Sequence, residues 1–498
     1  MKRNVKKVFA AVLALGLIIS AAGCGGSTKN AGLDAEGNYE VAWYNSQKPF
    51  PDDALVFEEL NKYTKEKIGV TVKYTPFIGA EYAEKMNLLF ASGEKIDICF
   101  TSSGAKFESN ARQFAYMDIG ELLDTVGKPT KELLPDYSLE CFKVGGVQYG
   151  IPVLKDWAFQ PCIQVSKGTL DKAGISYEEF QAPTTLDEFT PLIEKYRSVP
   201  GNENHYGILM RGNHNLMSFL PQETISGSVM AGFEFDNYDK VINIYETDEF
   251  KDLLKTVRKW YLAGFTKNDA ATSTSDADLW KIGNYFGSHG QWLPYSDCTT
   301  AEDSPGKVIF SKNICKPFLS TNQVNPAGHA IGSTCVNPER TMEFLNLLYT
   351  DEYVRNLTCL GIEDKHWVAD GETHYALPEG FKTKADTGYE GGAWNVGNRF
   401  LLKVAPKTPA DIWEKYQEFN EIATKSPALG FAFDPQPVAG QIAAVNNVDQ
   451  EFFRSLIVGA VDPETELPAF LKKLESVGSN DIIAEAQRQY DEWKKLKK

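Results

Sequence analysis

The sequence predicts an α/β protein with at least two lobes, on three observations. Strand-like and helix-like patterns alternate from residue 39 onward, the order that packs helices on a sheet. One strand pattern, residues 96–101 (IDICFT), is almost wholly apolar, as a strand inside a parallel sheet covered on both faces should be. The 498 residues also exceed what one hydrophobic core normally organises.

Each element has a local reason. Residues 39–44 (YEVAWY) alternate into a strand. Residues 52–68 form an amphipathic helix with Leu55, Val56, Leu60 and Tyr63 on one stripe, stopped by Gly69. Residues 70–74 (VTVKY) are the next strand, and 81–92 the next helix, stopped by Gly93. Residues 186–196 are helical, with Thr184 or Thr185 as cap and Glu188 near the capping-box position. Helices are also expected at 247–262, closed by Gly264, and at 338–349, with Met342, Leu345, Leu347 and Leu348 turned inward. Another is expected at 409–424, where Thr408 caps and Pro409 takes the first helical position. Residues 450–458, 463–477 and 480–496 make the C-terminal third helical, and residues 284–292 read as a strand ending in a Gly-rich loop.

The amino terminus reads as an export signal. Lys2, Arg3, Lys6 and Lys7 precede an apolar run over 8–19, too short to span a bilayer, and then Ala21-Ala22-Gly23-Cys24. A cysteine at the cleavage point resembles the bacterial lipobox, with Ala21 where Leu is usual. The resemblance implies lipidation of Cys24 and a chain tethered to a membrane by acyl groups. Residues 25–37, rich in Gly, Ser, Asn and Asp, read as a flexible tether.

Composition narrows the function. The formal charge is −16, and the leader holds four basic and no acidic side chains, so the remainder carries about −20. Such a surface argues against nucleic acid and anionic lipid head groups. Seven cysteines follow Cys24, widely spaced and with no C-x-x-C pair, which indicates neither a disulfide framework nor a zinc site. Six scattered histidines give no H-E-x-x-H, and no G-x-S-x-G occurs. Gly287-Ser288-His289-Gly290 lacks the Gly-Lys-Ser/Thr of a phosphate loop, and Asp276 and Asp278 lack an EF-hand ladder. No metal and no cofactor are expected, and no catalytic residue is assigned.

Several segments resemble the family 1 extracellular solute-binding proteins of bacterial ABC importers: residues 91–98 (ASGEKIDI), 147–152 (VQYGIP), 170–174 with 182–189 (APTTLDEF), and 331–351. Residues 361–367 (GIEDKHW), 394–400 (WNVGNRF), 429–434 (LGFAFD), 459–463 and 487–493 are similar to lipoprotein-type members carrying a C-terminal domain of unknown function. The resemblance covers nearly the whole mature chain. It implies a periplasmic-binding-protein-like fold whose two lobes close about a hinge on a ligand, with carbohydrate, often oligosaccharide, as the commonest ligand class. It also implies ABC permease subunits as partners, a site of action outside the cell membrane, no bond made or broken, and a monomer. The expected division is 1–23 signal peptide, 24–37 tether, 38–153 plus 317–385 first lobe, and 154–316 plus 386–498 second lobe.

A sugar presents an apolar C–H face and a rim of hydroxyls, so its site needs flat aromatic plates with donors and acceptors around them. Open α/β sheets place ligands at strand C-terminal ends. Tyr44, Asn45 and Gln47 end the first strand; either Trp43 or Tyr44 must face a helix layer. Ser102 follows the third strand, as ligand or as helix cap. Lys155, Asp156 and Trp157 follow the Tyr-Gly-Ile-Pro crossover, and Trp157 beside two charges reads as a plate rather than core. His289 and Trp292 close the Gly-rich loop; Trp394 with Asn398 is a third aromatic site. Both tryptophans have an equal core alternative. Arg211, with Asn213 and His214, either bonds hydroxyls or lies on a solvated loop. Two other functions stay open: a surface glycoside hydrolase or lyase, whose carboxylate pair leaves no local signature, and a binder of a non-sugar solute such as peptide.

Overall fold

Two mixed sheets organise the chain. In this computed structural model the described residues are 32–296 and 308–497. The expected leader, Cys24, the first part of the tether and Cys298 lie outside them. The strands are β1 (Tyr39–Ser46), β2 (Val70–Phe77), β3 (Ile98–Thr101), β4 (Ile151–Pro152), β5 (Pro161–Ser166), β6 (Tyr206–Leu209), β7 (Tyr285–Gln291), β8 (Ile309–Asn313) and β9 (Gly328–Ile331). The first sheet runs β2-β1-β3-β9-β4 and the second β8-β5-β7-β6.

The apolar strand β3 sits in a mixed sheet, not the wholly parallel one expected. It is parallel to β1 but antiparallel to β9. The reason is the path of the chain: β9 re-enters the first sheet from the second, at the end where β3 leaves it.

That path fixes where a ligand site lies. The chain leaves the first sheet after β4 and enters the second at β5, so the end of β4 and the start of β5 both face the crossover. β9 is antiparallel to β4 and β3, and β3 is parallel to β1, so β1, β3 and β4 all end on that side. In the second sheet β7 and β8 are antiparallel to β5, and β6 is parallel to β7, so β6, β7 and β8 also end there. The loops at these ends oppose each other across the crossovers.

Each sheet has its own core. The first contains Trp43, Val56, Leu60, Phe100 and Phe344; the second contains Phe189, Trp260, Phe286 and Phe453. The helices Ala439–Ile457, Pro463–Ser476 and Ser479–Leu496 pack into the second core through Val445, Phe453, Phe470 and Tyr490. Tyr389, Val396, Phe419 and Ala423 belong to the first core, although the expected division gave 386–498 to the second lobe. The short strand Thr424–Lys425 explains this, because it pairs with Phe318–Leu319 before the chain returns to the second lobe.

Most helices follow their local signals. Thr247 Oγ1 accepts from Phe250 N (3.3 Å), Asn337 Oδ1 accepts from Arg340 N (3.2 Å), and Gly69 ends its helix at φ 64°. The helix expected at 409–424 instead spans Ile412–Ile422, with Asp411 in the capping position. The Thr408 carbonyl, which would have opened its ladder, faces the His374 ring at 2.7 Å. Cys99, Cys141, Cys162 and Cys359 are buried, and Cys315 and Cys335 half-buried, with no disulfide among the described residues. Among the described residues no helix is long and apolar enough to cross a membrane.

One side chain pins the first crossover. Asn420, buried on the helix Ile412–Ile422, accepts from Trp157 N (2.7 Å) and Ala158 N (2.9 Å) and donates to Lys155 O (2.8 Å). Asn420→Ala leaves three backbone groups without these partners. It should cost roughly 1–3 kcal/mol in a urea titration; a change below about 0.5 kcal/mol would show that the crossover does not need this clamp.

Candidate functional site

The first lobe's contribution is an exposed indole on a tethered loop. Trp394 is 49 % exposed, whereas Trp43, Trp157, Trp260 and Trp367 are buried. Its ring meets Phe100, on β3, edge-on at 6.1 Å, and the Lys155 ammonium lies 5.9 Å from its centroid. Burial pulls the Lys155 ammonium below its ordinary pKa; Asp156 opposes the shift and Arg399 adds to it.

The loop over residues 392–399 is held at many points. Arg355, wholly buried, donates to Gly392 O (2.9 Å) and Ala393 O (3.0 Å). Asn395 Nδ2 donates to Ser46 O (2.8 Å), fixing the loop on the end of β1. Gly397 N donates to His329 Nε2 (3.1 Å), a ring kept neutral by burial, with Arg355 nearby, and with its pKa lowered to about 3. Leu154 N donates to Gly397 O (3.0 Å), and Arg399 N to Leu154 O (2.9 Å). A Cβ on Gly397 would collide with the Leu348 carbonyl, so this approach needs glycine.

Several expected ligand residues serve this scaffold instead. Trp157 is 2 % exposed and its indole N–H donates to Val153 O (3.0 Å), so it is core; its flanking charges turn elsewhere. Asp156 is buried and paired with Arg399, whose guanidinium lies over Trp413 (5.3 Å) and Tyr416 (5.4 Å). Asn398 is buried, caps a 3-10 turn through Phe400 N (2.9 Å) and donates to Tyr349 O (3.1 Å). Asn45 is buried and donates to Tyr74 Oη (3.3 Å). Ser102 accepts from Ala105 N (2.9 Å) in the turn ahead of the helix Phe107–Arg112, which it does not cap. Tyr44 is half-buried and stacks on Phe77 (6.0 Å) at the end of β2, while Trp43 fills the core against the helix residues Phe57 and Phe344. Gln47 donates to Glu390 O (3.0 Å), beside the Trp394 loop.

The second lobe presents polar groups at the ends of β6 and β7. Arg211 pairs with Asp276 (3.0 Å) and donates to Thr274 O (2.7 Å). His289 Nε2 lies 3.4 Å from Asn215 Nδ2, and its pKa is lowered by burial and then by Arg211. Trp292 is half-buried, edge-on to Phe419 at 5.3 Å, and its backbone N–H donates to Gln160 O (2.8 Å). His214 stacks on Phe453 at 4.0 Å, facing the C-terminal helices. The structure thus joins Lys155 to Trp394 and His289 to Asn215. Asn215 was missed because it follows the Arg211–His214 cluster with no signal of its own.

The sequence also gave no sign of a cavity of about 360 Å³ against the crossovers, lined by Phe159, Ser218, Gln222, Glu223, Phe235 and Phe318 among others. Glu223 is buried there and Oε2 accepts from Tyr238 Oη (2.9 Å) and Ser426 Oγ (2.5 Å).

Comparisons with known proteins place this geometry among relatives. Residues 47–355 match the family described as bacterial extracellular solute-binding protein, and residues 427–495 match a domain of unknown function (DUF3502). A carbohydrate ABC transporter substrate-binding protein of Streptococcus pneumoniae serotype 4 is 29% identical over 518 residues, covering 100% of both chains. The crystal structure of the N-glycan transport solute binding protein of Streptococcus pneumoniae is 26% identical, with TM-score 0.82 over 92% of this chain and 100% of that one. Its complexes with Man1GlcNAc and Man5GlcNAc give 0.73 over 91% of this chain and 99% of that one, and 0.70 over 92% and 99%. A Bifidobacterium longum infantis solute binding protein, 18% identical, shares the fold at 0.67 over 91% of this chain and 99% of that one.

Burial raises the Glu223 carboxyl from an ordinary 4.5 to about 7, against the hydrogen bonds that favour its charge. The folded chain therefore holds a proton that the unfolded chain has released above about 4.5, so stability falls as pH rises from about 4.5 to about 7. Glu223→Gln should flatten that slope in thermal melts at pH 5, 6, 7 and 8. An unchanged slope would show that Glu223 does not carry it.

Proposed function

The chain belongs to the bacterial extracellular solute-binding protein family, and on that premise we propose that it captures an oligosaccharide between its lobes and hands it to an ABC importer. The observation that carries this is Trp394, an exposed plate whose loop is tied to β1, β9 and the crossover. Exposing a large apolar ring forfeits burial, and fixing its loop costs entropy. Both are offset when a sugar's C–H face covers the ring. Lys155 beside it, and Asn215 and His289 opposite, supply polar partners for hydroxyls.

Closure follows from differential contact. A ligand touching only one lobe shifts no equilibrium; one touching both favours the closed form by its extra contacts. The superposition values support such a motion, since they fall from 0.82 to 0.73 and 0.70 when the glycan-bound forms of the same relative are compared. Rotation of two rigid lobes lowers such a score while leaving each lobe unchanged. The sugar leaves intact, because the reading needs no bond to break.

The order of basic, apolar and small residues before Cys24 supports export and lipidation, anchoring a monomer at the outer face of the cell membrane. Cys24→Ser should move the chain from the membrane fraction to the medium; retention in the membrane would contradict the anchor.

Calorimetry with neutral di- to hexasaccharides, Man1GlcNAc and Man5GlcNAc tests the ligand class. Binding is expected with the sugar recovered intact, and Trp394→Ala should weaken it by roughly 1–3 kcal/mol at unchanged melting temperature. Trp157→Ala should instead cost about 3–5 kcal/mol of stability. No binding across the panel, or cleaved sugar, would refute the reading.

A further inference from the structure

The cavity between the crossovers and the second lobe has the make-up of a sugar subsite. Phe159, Phe235 and Phe318 give it apolar walls, with Phe235 and Phe318 stacked at 4.4 Å. Ser218, Gln222 and Glu223 give it polar ones. The Gln222 Nε2 atom is buried and has no hydrogen-bond partner among the described residues, an expensive state for a buried donor. The Glu223 carboxyl beside it is held in place by Tyr238 and Ser426.

The cavity adjoins one wall of the cleft. Ser218 Oγ donates to Asn215 O (2.7 Å), so one loop forms both the cleft wall near His289 and the wall of the cavity. Phe159 lies four residues beyond Lys155, no more than about 14 Å of extended chain. An oligosaccharide of a few residues covers that distance. The far wall comes from the other lobe, where Asn322 donates to Thr224 O across the boundary (2.6 Å). The cavity is therefore shaped by the closure of the two lobes.

We propose that this cavity is the deep end of the cleft, that it takes the terminal ring of a neutral oligosaccharide, and that the Gln222 amide donates to one of that ring's hydroxyls. The inference rests on the carbohydrate reading above. It adds a charge preference. Once Glu223 has lost its proton, above about pH 7, its charge repels an anionic terminus, and the cation at the cavity, Lys316, is solvent-exposed and screened at its mouth. His214, which also lines it, is occupied by Tyr245 (3.0 Å) and stacked on Phe453.

Titration of the native chain, Gln222→Leu and Trp394→Ala with the neutral panel and with oligogalacturonates tests this. Gln222→Leu should weaken neutral oligosaccharides about tenfold, the loss of one hydrogen bond. At pH 8, where Glu223 is ionised, oligogalacturonates should bind the native chain more weakly than neutral chains of equal length. Full affinity in Gln222→Leu while Trp394→Ala loses it would overturn the subsite and leave the carbohydrate reading standing; no glycan binding at all would overturn both. Tighter binding of oligogalacturonates would overturn the charge preference. The native chain gives a second readout that needs no variant. Cys315 lines the cavity and Cys335 does not. Bound neutral glycan should slow maleimide labelling of Cys315 several-fold and leave Cys335 unchanged, and equal labelling of Cys315 with and without glycan would contradict occupancy.

Discussion

A buried cation holds the candidate site together. Arg355 lies wholly inside the first lobe and spends its guanidinium on the carbonyls of Gly392 and Ala393. A charge removed from water is tolerated only when such acceptors replace its hydration. The neighbouring His329 responds by staying neutral, which leaves Nε2 free to accept from Gly397 N. Together they fix both ends of a short loop whose middle carries the exposed Trp394. Removing either group would loosen the plate without touching its ring.

The same loop is tied to the crossover between the lobes. Leu154, at the start of the crossover, donates to Gly397 O and accepts from Arg399 N, and Asp156 pairs with Arg399. Asn420 fixes the next residues of that crossover. The indole, the Lys155 ammonium and the start of the crossover therefore form one rigid unit on the first lobe. The polar wall of Asn215 and His289 belongs to the second. A ligand that bridges the two units gains contacts only as they approach, which is how binding energy becomes a change of shape. The C-terminal helices pack into the second core, and Arg112 of the first lobe reaches Ala432 O (3.1 Å), so that region also spans the lobe boundary.

Much of the fold was legible in local pattern. Alternation gave the α/β class, and strand ends gave the region of the site. The failures were non-local. Trp157 looked like a plate because charges flank it, but the partner of Asp156 is Arg399, 243 positions away. Asn398 looked like a ligand donor because it follows a tryptophan, and it is a cap. The antiparallel β9 follows from the chain's return path, which no single segment encodes. Trp394 lies in a Gly-rich stretch, and one of its glycines, Gly397 against Leu348, marks close backbone approach. Gln222 and Phe159 gave no signal, since the cavity they line is assembled from segments distant in sequence.

The most direct test is a crystal structure of the chain with Man5GlcNAc or the tightest neutral oligosaccharide of the panel. The account predicts a sugar ring stacked on the Trp394 indole and hydroxyls bonded to groups of both lobes. A sugar bound to one lobe alone, with Trp394 still facing solvent, would contradict it.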